Sequence, residues 1–113
     1  MICTVDDFKL QYPDVDKTDE EIQRAVDFAS TFIEKIISET FESPLPFSHP
    51  LNLACRKIAY YELFPEKKER LGIVEERLEG YSYTKANVPS IYGDPEIDKI
   101  LALYMKGVRI GAG

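Results

Sequence analysis

Residues 18–41 read TDEEIQRAVDFASTFIEKIISETF and carry both the start signal and the period of a long amphipathic helix. Thr18-Asp-Glu-Glu21 has the Ser/Thr-x-x-acid form of a capping box, and its three acids lie in the first turn, where they complement the helix dipole. Behind the box, Ile22, Ala25, Val26, Ala29, Ile33, Ile36 and Ile37 recur at three- and four-residue spacing, with Phe32 beside them. One apolar stripe at that period predicts a helix running to about residue 40, on the order of 33 Å long.

Prolines punctuate the chain on either side. All seven fall at 13, 44, 46, 50, 65, 89 and 95. Proline is costly inside a helix and welcome in its first turn or just past its end, so the intervals between prolines are the helix candidates. Thr4-Val-Asp-Asp7 is a second capping box, opening a short helix that stops at Tyr12-Pro13. ESPLPFSHP, residues 42–50, holds three prolines in nine residues and is a loop. Leu51, Ala54, Cys55, Ile58 and Ala59, followed by Tyr61 or Glu62, make a second stripe that ends before Phe64-Pro65. Residues 66–79 are charged throughout with Leu71, Val74 and Leu78 on one side. Gly72 weakens that helix and Gly80 stops it. Asp94-Pro95 is a cap followed by proline at the first helical position. Ile97, Ile100, Leu101, Tyr104 and Met105 form the last stripe, closed by Gly107.

One segment breaks this pattern. In residues 75–85, EERLEGYSYTK, a helical run stops at Gly80 and then alternates aromatic with hydroxyl residues like the start of a strand. The predicted architecture is all-α: a single domain over residues 1–113, built as a small bundle of four to five helices. An extended segment or short hairpin with its linker occupies residues 80–93 before the last helix, and a flexible tail spans residues 107–113.

Composition narrows the function. At 113 residues, with 44% apolar and 30% charged side chains, the chain is ordinary for one globular domain with a modest core. No apolar run approaches the ~20 residues that cross a bilayer, and MICTVDDFKL lacks the features of a signal peptide, so folding in a cytoplasm is expected. Cys3 and Cys55, far apart and without a CxxC, suggest reduced thiols rather than a disulfide framework. A net charge of −6 argues against a protein that coats nucleic acid through its phosphates. Residues 1–49 carry four basic and eleven acidic side chains, whereas residues 50–113 carry ten and nine. Such asymmetry is the ordinary mark of a solvated face and could also favour head-to-tail contact between copies.

Catalytic and metal chemistry are poorly supported. The single histidine, His49, sits in the proline-rich loop, where solvent or a helix start is its ordinary place, and no nucleophile-elbow glycines accompany it. Two cysteines and one histidine at this spacing do not make a zinc site. Counting Asp14 as the first position of a calcium loop puts Asp19 where glycine is required and Ala25 where the bidentate glutamate belongs. Neither phosphate-cradling glycine motif is present. Glu75 with Glu76, or Asp94 with Asp98, could form an acid–base pair, but acids on a helix surface are read as solvated. No enzyme activity, cofactor or metal is expected. The remaining chemistry is interaction: seven tyrosines and six phenylalanines suit surfaces where one end of the ring is buried and the other stays polar.

The order of features resembles the head–tail connector proteins of tailed bacteriophages and prophages, also called adaptor or head-completion proteins. The resemblance is carried by residues 18–41, by LACRKIAYYELFP (53–65), by ERLEGYSYTK (76–85) and by GDPEIDKILALY (93–104), and so spans nearly the whole chain. In this sequence the acid Glu79 precedes Gly80 rather than following it, and residues 65–72 are short and highly charged. The resemblance implies an all-helical protomer that assembles into a homo-oligomeric ring of about a dozen copies beneath the portal protein. Such a protomer can stay monomeric until the portal offers a template. The ring would extend the DNA channel, touch DNA only in passage, and present a surface to the next neck or tail protein, with no membrane involved. Its place would be the virion neck, after assembly in the host bacterial cytoplasm.

Within that frame, an extended segment without an intramolecular partner exposes backbone donors and acceptors that invite another chain. Tyr81, Ser82, Tyr83, Thr84 and Lys85 are the candidate subunit-interface residues, together with Tyr92, Tyr104 and Arg109. Asp19, Glu20 and Glu21 are the candidate channel-facing acids, since carboxylates let passing phosphates slide. The runner-up is a small helical protein-binding or regulatory module unrelated to virions. A helix-turn-helix DNA binder would need a basic recognition helix, and the cluster Lys67-Lys68-x-Arg70 is interleaved with glutamates.

Overall fold

The computed structural model describes residues 1–68 and 91–105. The expected helix over 66–79 past residue 68, the segment 80–93 up to residue 90, and the tail 107–113 lie outside the described residues. Those described are all-helical, with no strand among them. Four helices follow in order: α1 (Val5–Gln11), α2 (Asp19–Ile37), α3 (Pro50–Leu63) and α4 (Pro95–Tyr104). Residues 65–68 open a further helical turn.

Local chemistry sets the boundaries. The Thr4 hydroxyl accepts the Asp7 N–H at 3.0 Å while the Asp7 carboxylate accepts the Thr4 N–H at 3.1 Å, a reciprocal box that starts α1. Thr18 and Glu21 repeat it at the start of α2, at 3.1 and 3.0 Å. Asp94 caps α4 by accepting the Glu96 and Ile97 N–H groups at 2.8 and 3.2 Å. α3 is capped by His49, whose Nδ1 accepts the Leu51 N–H at 3.0 Å, with Pro50 at the first helical position. The loop histidine is thus a helix-start residue.

Two helices end earlier than their periodicity predicts. α2 stops at Ile37 because Ser38 turns left-handed (φ 57°, ψ 42°), which lets the Glu39 N–H reach back to the Glu34 carbonyl at 3.1 Å. α4 stops at Tyr104, and Met105 is already extended and packs against the core instead of adding a turn.

α3 is the central element and packs against the other three, while α2 also touches α1 and α4. Ala25, Ala29, Ala54 and Ala59 are buried, and their small side chains let α2 and α3 approach closely. Around them Phe8, Ile22, Val26, Ile33, Ile37, Leu51, Ile58, Ile97 and Leu101 close a single core. Each large aliphatic chain so buried contributes about 1.5–3 kcal/mol. The first residues also belong to this core. Ile2 and Cys3 are fully buried as an extended segment whose Ile2 N–H donates to Ser30 Oγ (3.0 Å) and whose Ile2 carbonyl accepts the Leu45 N–H (2.9 Å).

Candidate interaction surface

With α3 surrounded, its polar residues cannot all face water. Asn52 and Arg56 lie one turn apart on α3 and are buried. Asn52 Nδ2 donates to the Leu45 carbonyl (2.9 Å), to Asp7 Oδ2 (3.1 Å) and to the Ile2 carbonyl (3.4 Å). Its Oδ1 accepts Arg56 Nε at 2.7 Å. Arg56 also donates to Gln11 Oε1 and, at 2.8 Å, to the Phe47 carbonyl, while its guanidinium stacks 3.9 Å from the Phe47 ring centroid. Burial holds the Arg56 pKa below its ordinary value, against the pull of Asp7. One arginine thereby ties the end of α1 to the proline-rich loop.

A second network joins α3 to α4. The Tyr61 hydroxyl donates to Asp94 Oδ2 and the Tyr92 hydroxyl to Glu62 Oε2, each at 2.7 Å. Lys57 pairs with both Asp94 (3.6 Å) and Glu96, and Lys68 lies 3.6 Å from Glu62. Asp98 accepts the N–H groups of Tyr92 (2.7 Å) and Gly93 (3.3 Å), holding the turn that leads into α4. The expectation that Asp94 and Asp98 are solvated is therefore corrected: both are buried, because α4 lays this end against α3.

Their carboxyls shift in opposite directions. Burial pushes both upward, but at Asp94 the Tyr61 hydroxyl, the cap N–H groups and Lys57 outweigh it and the pKa falls. At Asp98 burial prevails over the backbone N–H groups, and the pKa rises. Both acids accept hydrogen bonds from the scaffold, and the pair organises the turn and the first residues of α4. Among the described residues every buried side-chain N or O has a hydrogen-bond partner, and no group of three His, Cys, Asp or Glu could hold a metal ion. No described helix is long and apolar enough to cross a membrane.

Large apolar side chains nevertheless stand in solvent. Leu10 is 70% exposed on α1, Phe28 48% on α2, and Leu103 69% on α4. Phe28 stacks on Phe32 and, with Glu21, Arg24, Glu62 and Leu63, lines an open groove of about 300 Å³. A second open groove, of about 480 Å³, runs past Gln11, Tyr12, Pro13, Tyr60 and Phe64, where the rings of Tyr12 and Tyr60 stack at 4.6 Å.

Of the residues singled out in the sequence, Tyr104 is 36% exposed at the end of α4, its ring 5.7 Å from that of His49. Tyr92 is half-buried, its ring against Phe32 and Tyr61. Tyr81, Ser82, Tyr83, Thr84, Lys85 and Arg109 lie outside the described residues. Asp19, Glu20 and Glu21 are all exposed; Asp19 pairs with Lys9, and Glu21 completes the Thr18 box. Sequence reasoning missed Leu10, Phe28 and Leu103. Phe28 stands four residues before Phe32, so the pair was legible as an aromatic flank beside the stripe. No protein-family model, curated protein or solved structure matches the chain.

Proposed function

We propose that this protein is a structural component of a tailed phage or prophage neck. Copies of it form a ring under the portal that completes the head, lines the DNA channel and joins the head to the tail. The observation that carries the reading is the order of its motifs: the acid-capped long helix, the alanine-bearing helix ending in Tyr-Tyr-Glu-Leu, and the Asp-Pro-capped helix ending in Tyr. These correspond to α2, α3 and α4 of one all-helical unit.

Two further features support it. Among the described residues the buried polar groups are engaged in holding helices and loops together, which suits a scaffold. Leu10, Phe28, Leu103 and Tyr104 are exposed apolar side chains that ring neighbours would cover. A ring of identical heterologous contacts covers them on every copy and leaves no free edge. The exposed acids at the start of α2 suit a channel through which DNA must slide.

Co-expression with the portal protein of the same phage or prophage tests the proposal. Particles purified through the portal should carry a closed ring of this protein, visible by electron microscopy. Portals that stay bare would overturn the reading in favour of a module that acts outside virions.

A further inference from the structure

Cys3 and Cys55 are separated by 52 positions in sequence, yet their sulfurs lie 2.8 Å apart. Both are free thiols and both are fully buried. Cys55 sits in the middle of α3, and Cys3 in the extended segment that lies over it. Ser30 Oγ is 3.4 Å from the Cys55 sulfur. Because that hydroxyl already accepts the Ile2 N–H, its own proton is available to the sulfur. The N-terminal segment that carries Cys3 is held at Ile2 by Ser30, Leu45 and Asn52.

We propose that Cys3 and Cys55 are a redox-closable pair, which small-molecule disulfides convert to an intramolecular disulfide that fastens the N-terminal segment to α3. The chemistry balances in two exchanges. One of the two thiolates attacks one sulfur of the external disulfide and expels one thiolate, leaving a mixed disulfide on the protein. The other protein thiolate then attacks the protein sulfur of that mixed disulfide and expels the second. Two protein thiols are oxidised by two electrons, the external disulfide is reduced to two thiols, and the two protein protons pass to them.

The two thiols are electrostatically linked. Burial opposes a thiolate on Cys55, but hydrogen bonds from Cys3 and Ser30 outweigh it and lower its pKa. Cys3, the donor in the pair, is raised by that hydrogen bond, by burial and by the charges of Cys55 and Asp7. Either sulfur can attack first, and the other then resolves the mixed disulfide. The closed loop is long, so the cross-link removes much of the freedom of the unfolded chain and should raise Tm by roughly 10 °C or more.

The experiment incubates the native chain in oxidised and reduced glutathione mixtures and follows intact mass, thiol titre and Tm. The expected product is a monomer about 2 Da lighter with no free thiol, a higher Tm, and full reversal by dithiothreitol. Cys3→Ser should stop at the glutathione adduct of Cys55. A stable adduct on the unmutated chain, disulfide-linked dimers, or thiols that remain unreacted while the protein stays folded would each overturn the proposal.

Discussion

Arg56 donates its Nε–H to Asn52 Oδ1 at 2.7 Å, one turn back on α3, and the two side chains together hold the N-terminal segment, the end of α1 and the proline-rich loop. None of those three pieces has a regular backbone ladder to the bundle. Two polar side chains supply what a ladder would otherwise supply.

Truncating Arg56 should therefore be among the costlier single changes. Arg56→Ala removes three hydrogen bonds and leaves Asn52 and the Phe47 carbonyl short of a donor, a loss of about 3 kcal/mol. Arg56→Lys should recover less than half of it, because an ammonium cannot reproduce the planar fork or the stacking on Phe47. Urea unfolding followed by circular dichroism measures both. Losses under 1 kcal/mol would mean that the loop is held by other contacts.

Asp94 and Asp98 should give stability an uneven dependence on acid. The Asp94 carboxyl lies below its ordinary value of 3.8, so its contribution is complete above that pH and is lost as pH falls through the depressed value. Asp98 is raised, so its contribution is present below the ordinary carboxyl value and is lost as pH climbs through the raised one. Asp94→Ala should cost about 1–2 kcal/mol at neutral pH, with the deficit shrinking below pH 3.8. Urea melts of both proteins at neutral and acid pH check this. A deficit that does not depend on pH would show that the cap, not the charge, carries the effect.

Three tyrosines should resist ionisation. Burial, aided by the charge of Tyr60, pushes Tyr12 up to about 12. Burial and donation to Asp94 raise Tyr61, and burial and donation to Glu62 raise Tyr92. Their contribution to stability is present below the ordinary phenol value of 10.0 and is lost as pH rises through the folded values. Phenolate absorbance should climb in two stages, the later one coinciding with loss of helical circular dichroism. A single stage near the ordinary value, with the fold intact, would contradict the network.

The helix starts were legible because each is a local event. A threonine and an acid three residues on are enough to define a box, and Thr4, Thr18 and Asp94 all cap as their sequences indicate. What lay beyond local pattern was decided by packing at long range. Asn52 and Arg56 look like solvent-facing positions until residues 2–3 and 45–47 close over them. Asp94 and Asp98 look like surface acids until α4 meets α3. The Cys3–Cys55 pair is invisible for the same reason, since no spacing rule spans 52 positions. The early stop of α2 depends on Ser38 adopting a conformation that glycine usually marks.

Leu103 offers a way to separate folding from assembly. It is exposed on α4 beside Tyr104, so Leu103→Glu should change stability by no more than ~0.5 kcal/mol. If α4 contributes to the ring contact, the same variant should lower the yield of portal-bound ring several-fold. Unchanged ring yield would remove this end of α4 from the interface.

In the proposed ring, copies would join one another beneath a portal with the stretch around Tyr81, Ser82 and Tyr83 as the candidate contact. Sedimentation velocity of portal mixed with the intact chain, and with a chain lacking residues 81–85, distinguishes the outcomes. The intact chain should give a heavier portal species, and the deletion should leave bare portal beside a folded helical monomer. A deleted chain that loads the portal as fully as the intact one would contradict that contact.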